Sequence, residues 1–131
     1  MKKVLFGILT MMVFAVTSCE LGGNKPCLEE KATATVIGEF PDSVKVGDNQ
    51  KVGVKFLAEN SCGEFKRFDI TQSDNSFEVK LITEYEGCNC NLVFTEREVE
   101  FEIDIDFPGE YQFKFWQSDG DYDTHLVRIY E

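Results

Sequence analysis

Basic residues are scarce in this chain. Thirteen Lys and Arg stand against 24 Asp and Glu, and the formal net charge over 131 residues is −11. A nucleic-acid partner needs a patch of Lys and Arg that displaces counterions from phosphates. No segment supplies one, so nucleic acid is disfavoured, as is direct docking on anionic lipid. Histidine is nearly absent: His125 is the only one. No G-x-S-x-G elbow, H-E-x-x-H pair or glycine-rich phosphate loop occurs. Carboxylates are plentiful, but no pair is marked out as an acid and a base. These gaps argue for a noncatalytic protein with no cofactor. No segment keeps a helical period, and one apolar run stands out, Val4 to Val16. That is the length of a signal-peptide core and too short to cross a bilayer.

The flanks of this run are informative. Met1-Lys2-Lys3 precedes it, and Val16-Thr17-Ser18-Cys19 closes it. An aliphatic residue, two small residues and a cysteine resemble the lipobox of bacterial lipoproteins. The resemblance implies cleavage before Cys19, then attachment of diacylglycerol and an N-acyl chain (palmitate) to Cys19. Buried methylenes contribute about 0.8 kcal/mol each, so several chains anchor firmly where one is marginal. A plain secretory signal with a stray cysteine, or an uncleaved anchor, are the alternatives. The implied division is a signal peptide over 1–18, a lipidated tether over 19–30 and one small β-domain over 31–131. Glu20 to Pro26 carries Gly22, Gly23, Asn24 and Pro26 and is expected to be flexible. Removal of Lys2 and Lys3 leaves the mature chain still more acidic. The expected location is the cell envelope, exported and lipid-anchored, at the outer membrane or cell surface in a Gram-negative host. Glu20 does not decide between membranes.

Four further cysteines remain: Cys27, Cys62, Cys88 and Cys90. An even number in an oxidising compartment reads as two disulfides. Zinc would call for paired Cys-x2-Cys knuckles, which the spacing lacks. Cys88 and Cys90 take different partners, because a bridge across one intervening residue is strained. The pairing is Cys27 with Cys88 and Cys62 with Cys90, or the reverse. A redox-active Cys-x-Cys pair is the functional alternative, but no basic neighbour is evident to lower a thiol pKa.

The remaining sequence is a succession of short runs rich in β-branched and aromatic residues, separated by turn residues. Seven strands are expected: Lys31 to Glu39, with Ala32, Ala34 and Val36 on one face; Lys51 to Ala58; Glu64 to Thr71, with a phase change that suggests a bulge; Phe77 to Tyr85; Leu92 to Phe107, entering irregularly; Tyr111 to Gln117; and Thr124 to Tyr130. Breakers such as Pro41-Asp42, Asp74-Asn75 and Pro108-Gly109 fall between them. Short antiparallel strands at this spacing imply an all-β, two-sheet sandwich. Asp106-Phe107-Pro108-Gly109-Glu110-Tyr111 resembles the corner before the penultimate strand of immunoglobulin-like domains. The resemblance implies a seven-stranded immunoglobulin-like sandwich in which the Tyr111 hydroxyl bonds to nearby backbone. The chain departs from that family in having no tryptophan in its third strand and no cysteine two residues after Tyr111. In an up-and-down trace, alternate connections share one end, which brings all four cysteines to one pole.

Three local patterns are candidate sites. Asp119, Asp121 and Asp123 alternate around Gly120, as in a fragment of a calcium loop; Asp-Gly is equally a hairpin turn. Glu98, Glu100, Glu102, Asp104 and Asp106 alternate with Val99, Phe101, Ile103 and Ile105, giving an acidic outer ridge over a core face. Such a ridge could receive a basic partner, or simply block edge-to-edge aggregation. Trp116, with Tyr122 and Tyr130, is a possible contact surface for a glycan or peptide. The expected role is a noncatalytic binding or structural module on the envelope, with an unknown protein or glycan partner. An extracytoplasmic protease inhibitor presenting loops from one pole, or a small envelope hydrolase or redox protein, are the alternatives.

Overall fold

A computed structural model describes residues 27–131. The signal, the lipidation site Cys19 and the tether up to Pro26 lie outside the described residues. No helix among the described residues is long and apolar enough to cross a membrane.

Nine strands among the described residues build two sheets: β1 (Leu28–Thr33), β2 (Thr35–Ile37), β3 (Ser43–Lys45), β4 (Gln50–Ala58), β5 (Gly63–Ser73), β6 (Ser76–Glu86), β7 (Thr95–Ile103), β8 (Gly109–Ser118) and β9 (Asp121–Tyr130). The smaller sheet has the order β2-β4-β7. The larger follows β1-β6-β8-β9-β3, with β5 also paired to β6. One flank of β6 is filled by β5 from Gly63 to Ser73. The other is shared: β8 runs along Ser76–Val79, and β1 along Leu81–Glu86.

The β4-to-β9 strands arise where apolar residues alternate. Val52, Val54, Phe56 and Ala58 point inward from β4, Phe101 and Ile103 from β7, and Tyr111, Phe113 and Phe115 from β8. Val127 and Ile129 complete this face from β9. Phe101 ties the sheets together, edge-on to Phe68, Phe113 and Phe115 at ring-centroid distances of 5.1, 5.7 and 5.3 Å. Edge-to-face pairs at these separations add to the burial term. The phase change in β5 is a register shift between Phe65 and Arg67.

Four expectations need correction. The described residues form nine strands, not seven, and the pairing is mixed: β3 runs parallel to β9, and β6 parallel to β8. The run from Lys31 to Glu39 is not one strand. The chain leaves the larger sheet at Ala34 and joins the smaller one, so Thr35 turns inward at 6% exposure while Val36 is 69% exposed. The tether boundary at residue 30 is too late, because Leu28 already pairs with Glu86. Finally, Leu92, Val93 and Phe94 are not strand; β7 begins at Thr95.

Candidate functional site

The four cysteines meet at one end of the sandwich. Cys27 is bridged to Cys88, and Cys62 to Cys90, with Cα separations of 5.2 and 5.6 Å. This resolves the pairing that spacing leaves open. Both sulfurs of the Cys-x-Cys segment are engaged with different partners, so neither a thiol pair nor a four-sulfur metal site exists there. The convergence follows from strand direction: β4 ends, β5 begins, β6 ends and β7 begins at this pole, and β1 enters beside the end of β6.

Local residue types fit the crowding. Gly63 opens β5 where an added Cβ would lie 2.6 Å from the Ala58 Cβ and 2.7 Å from the Tyr85 ring. Only glycine permits that approach. Gly87 takes φ +126° between the two bridges, a conformation that L side chains rarely adopt. The Tyr85 ring is buried, and its hydroxyl accepts a bond from the Glu59 backbone N–H at 3.0 Å. The Lys31 ammonium lies 2.7 Å from Glu59, and this bond raises its pKa above the usual 10.5.

The loop between β6 and β7 is pinned from several sides. The Gly87 N–H donates to the Cys27 carbonyl at 2.8 Å, and the Ser61 N–H donates to the Asn91 carbonyl at 3.0 Å. The Asn91 N–H donates to the Ser61 hydroxyl at 2.9 Å. Asn60 caps the facing connection, its side-chain oxygen accepting from the Cys62 N–H at 2.9 Å. Arg97 reaches across from β7 to the Gly63 carbonyl at 2.9 Å and pairs with Glu64 at the same distance. What this loop displays is Leu92-Val93-Phe94, at 90%, 62% and 67% exposure. Among the described residues, this fixed loop holds three consecutive exposed apolar side chains. The sequence reading missed it. The available signal was the absence of charge from Gly87 to Phe94 beside two bridged cysteines.

The other candidates fare differently. Asp119 and Gly120 form the turn between β8 and β9, with Gly120 at φ +81°. No three carboxylate, histidine or cysteine side chains among the described residues gather to hold a metal. Asp119 sits in this hairpin turn, and Asp121 and Asp123 open β9. Asp123 instead contacts His125 at 3.0 Å, and the His125 ring stacks on Phe40 at 4.8 Å. Trp116 and Tyr122 are cross-strand partners, both half-buried. Tyr130 belongs to the far end of β9, eight residues beyond Tyr122, so the expected aromatic trio is a pair.

The acidic ridge is present. Glu98, Glu100, Glu102 and Asp104 are exposed, while Phe101 and Ile103 are buried. Lys51 and Lys55 of neighbouring β4 pair with Glu100 at 3.3 Å and Glu96 at 3.7 Å. Exposed pairs of this kind contribute little each. Among the described residues, β7 has a sheet partner on one side, β4. Its charged side chains discourage the pairing of another strand to the open edge. At the opposite pole the Tyr111 hydroxyl donates to the Phe107 carbonyl at 3.0 Å, as the corner resemblance implies.

No similar chain was found among curated proteins or solved structures. Residues 52–126 match the model of one family, described as the ORF11 beta-sandwich domain. The match runs from β4 into β9, taking in Cys62, Cys88 and Cys90 but not β1 to β3 or Cys27. It covers more than half of the chain, which thus belongs to the ORF11 beta-sandwich domain family.

Proposed function

We propose that the chain is a lipoprotein of the cell envelope, held to the membrane by lipid on Cys19 and carrying a noncatalytic binding or structural β-sandwich. One observation carries this reading: the domain is closed by two disulfides at the pole where the chain arrives from Cys19. Bridges of this kind persist in exported proteins and are rare in reducing compartments. Val16-Thr17-Ser18-Cys19 adds the independent signal for lipid. The Tyr111 corner supports a kinship with immunoglobulin-like crossovers, limited to that corner. A noncatalytic role is supported by the engagement of the reactive residue types elsewhere. His125 is tied to Asp123 and Phe40, and the domain's Cys27, Cys62, Cys88 and Cys90 are in bridges.

Mass spectrometry of the mature protein, with detergent phase partition, tests the reading. A diacylglyceryl, N-acylated Cys19 at the new N-terminus is expected. The Cys19→Ala chain should remain uncleaved and fail to acquire lipid. A mature protein with an unmodified Cys19 would overturn the anchor.

A further inference from the structure

We propose that Leu92-Val93-Phe94 is a second membrane contact, a loop that inserts into the bilayer holding the chain's own anchor and stands the domain on its cysteine pole. The inference rests on the lipid-anchored reading and adds to it the orientation of the domain and the surface it touches.

Three observations converge. The first is chemical: the eight residues from Gly87 to Phe94 carry no charge, and the last three are apolar and exposed. Asn89 and Asn91 precede them and suit the depth of lipid headgroups, with Leu92 and Phe94 below. The second is rigidity. Cys88 and Cys90 are bridged to separate strands' ends, and Asn91 exchanges two hydrogen bonds with Ser61. A loop already fixed loses little freedom on insertion.

The third is place. Cys27 is bonded to Cys88, four residues before Leu92, so the chain from the anchor enters beside this loop. Eight residue steps separate Cys19 from Cys27, a reach of at most about 29 Å even when fully extended. The cysteine pole is thereby the membrane-proximal one. The pole around Pro41-Asp42, Asp74-Asn75 and Pro108 faces away.

Charge selects the lipid. Glu29, Glu59, Glu64, Glu86 and Glu96 surround the pole, against Lys31, Arg97 and Lys55, the last paired with Glu96. Lys31 is paired with Glu29 and Glu59, and Arg97 with Glu64. A net acidic rim is repelled by anionic headgroups, so the loop seats on zwitterionic lipid.

The test uses the full lipidated protein in phosphatidylcholine vesicles whose acyl chains carry bromine near the headgroup. Phe94→Trp, in a Trp116→Phe background, reports from the loop. Phe107→Trp, in the same background, reports from the exposed corner at the opposite pole. Mass spectrometry establishes both bridges and the acyl chains on each chain. The expected result is emission from the Phe94→Trp chain quenched several-fold more strongly than from the Phe107→Trp chain. Quenching should weaken when phosphatidylglycerol replaces part of the phosphatidylcholine. Equal quenching of the two reporters, with Cys19 acylated, would overturn the loop and leave the anchor standing. Shielding of the Phe94→Trp reporter from acrylamide without quenching by bromine would mean a protein cover and would also overturn it. An unmodified Cys19 would remove the anchor and the loop proposal with it.

Discussion

Replacing Cys27 and Cys88 by alanine, and separately Cys62 and Cys90, measures how the cysteine pole is held. The bridges close segments of different length, with sequence separations of 61 and 28. In the chain-entropy description, closing such loops removes about 4.3 and about 3.6 kcal/mol of denatured-state freedom at 25 °C. The loops overlap, so the two values do not add. The native state narrows the gap between the variants. Cys27 tethers the free start of β1, whose own hold on β6 is six residue pairs at the sheet's end. Without the bridge this strand can fray, and that freedom in the folded state offsets only part of the difference. Cys62 lies between β4 and β5, both paired along their length. The Cys27→Ala/Cys88→Ala chain should therefore lose more, about 3–4 kcal/mol, and the Cys62→Ala/Cys90→Ala chain about 2–3.5 kcal/mol. Urea unfolding followed by tryptophan emission gives both values. At roughly 4–8 °C per kcal/mol for a domain of this size, the melting temperature should drop by more than about 10 °C in the first case. A larger loss from the shorter loop would refute the reasoning, and losses below about 0.5 kcal/mol in both would show that the bridges do not constrain the chain.

Ile103→Ala empties a fully buried site and should cost about 2–5 kcal/mol, while Glu102→Ala on the opposite face should change stability by less than about 0.5 kcal/mol; equal losses in urea unfolding would mean the β7 register is wrong. Tyr111→Phe keeps the ring but strips the Phe107 carbonyl of its donor, an expected loss of about 1 kcal/mol because Phe107 is exposed and water can replace part of the bond. In a pH titration by NMR, Lys66 should lose its proton above the usual 10.5, since it is bonded to Glu84 at 2.7 Å. The folded-state pKa is raised, so whatever the pair adds to stability is present below about pH 10.5 and fades as pH climbs through the folded value. A Lys66 midpoint below 10.5 would contradict the pairing.

The acidic outer face and the apolar inner face of β7 were legible because a strand alternates with period two, and Val99 to Ile105 keeps that period without interruption. The same alternation located the other central strands. Tyr111 was legible as a corner because a glycine turn placed its ring at the start of a buried strand. The even cysteine count and one-residue spacing of Cys88 and Cys90 limited the bridges to two pairings. These are local properties: period, turn chemistry and covalent geometry.

What sequence left undecided depended on contacts between distant residues. Ser43-Val44-Lys45 lies inside a stretch rich in turn residues, and it becomes strand because the edge of β9 at Arg128–Tyr130 accepts it in parallel. The break at Ala34 has no local sign. β1 fills the flank of β6 from Leu81 to Glu86, beyond the residues that β8 pairs, and the next residues find β4 in the other sheet. Crossing between sheets reverses which side chains face the core, so Thr35 is buried and Val36 is not. Leu92, Val93 and Phe94 read as strand because apolar β-formers usually pair. Here the bridges and the Ser61–Asn91 bonds hold the segment just before them at the pole, and β-pairing with β4 resumes only at Thr95. Sequence alone determined that the chain folds as a bridged β-sandwich; only tertiary structure decided which segments share an edge, and thereby which apolar residues remain outside.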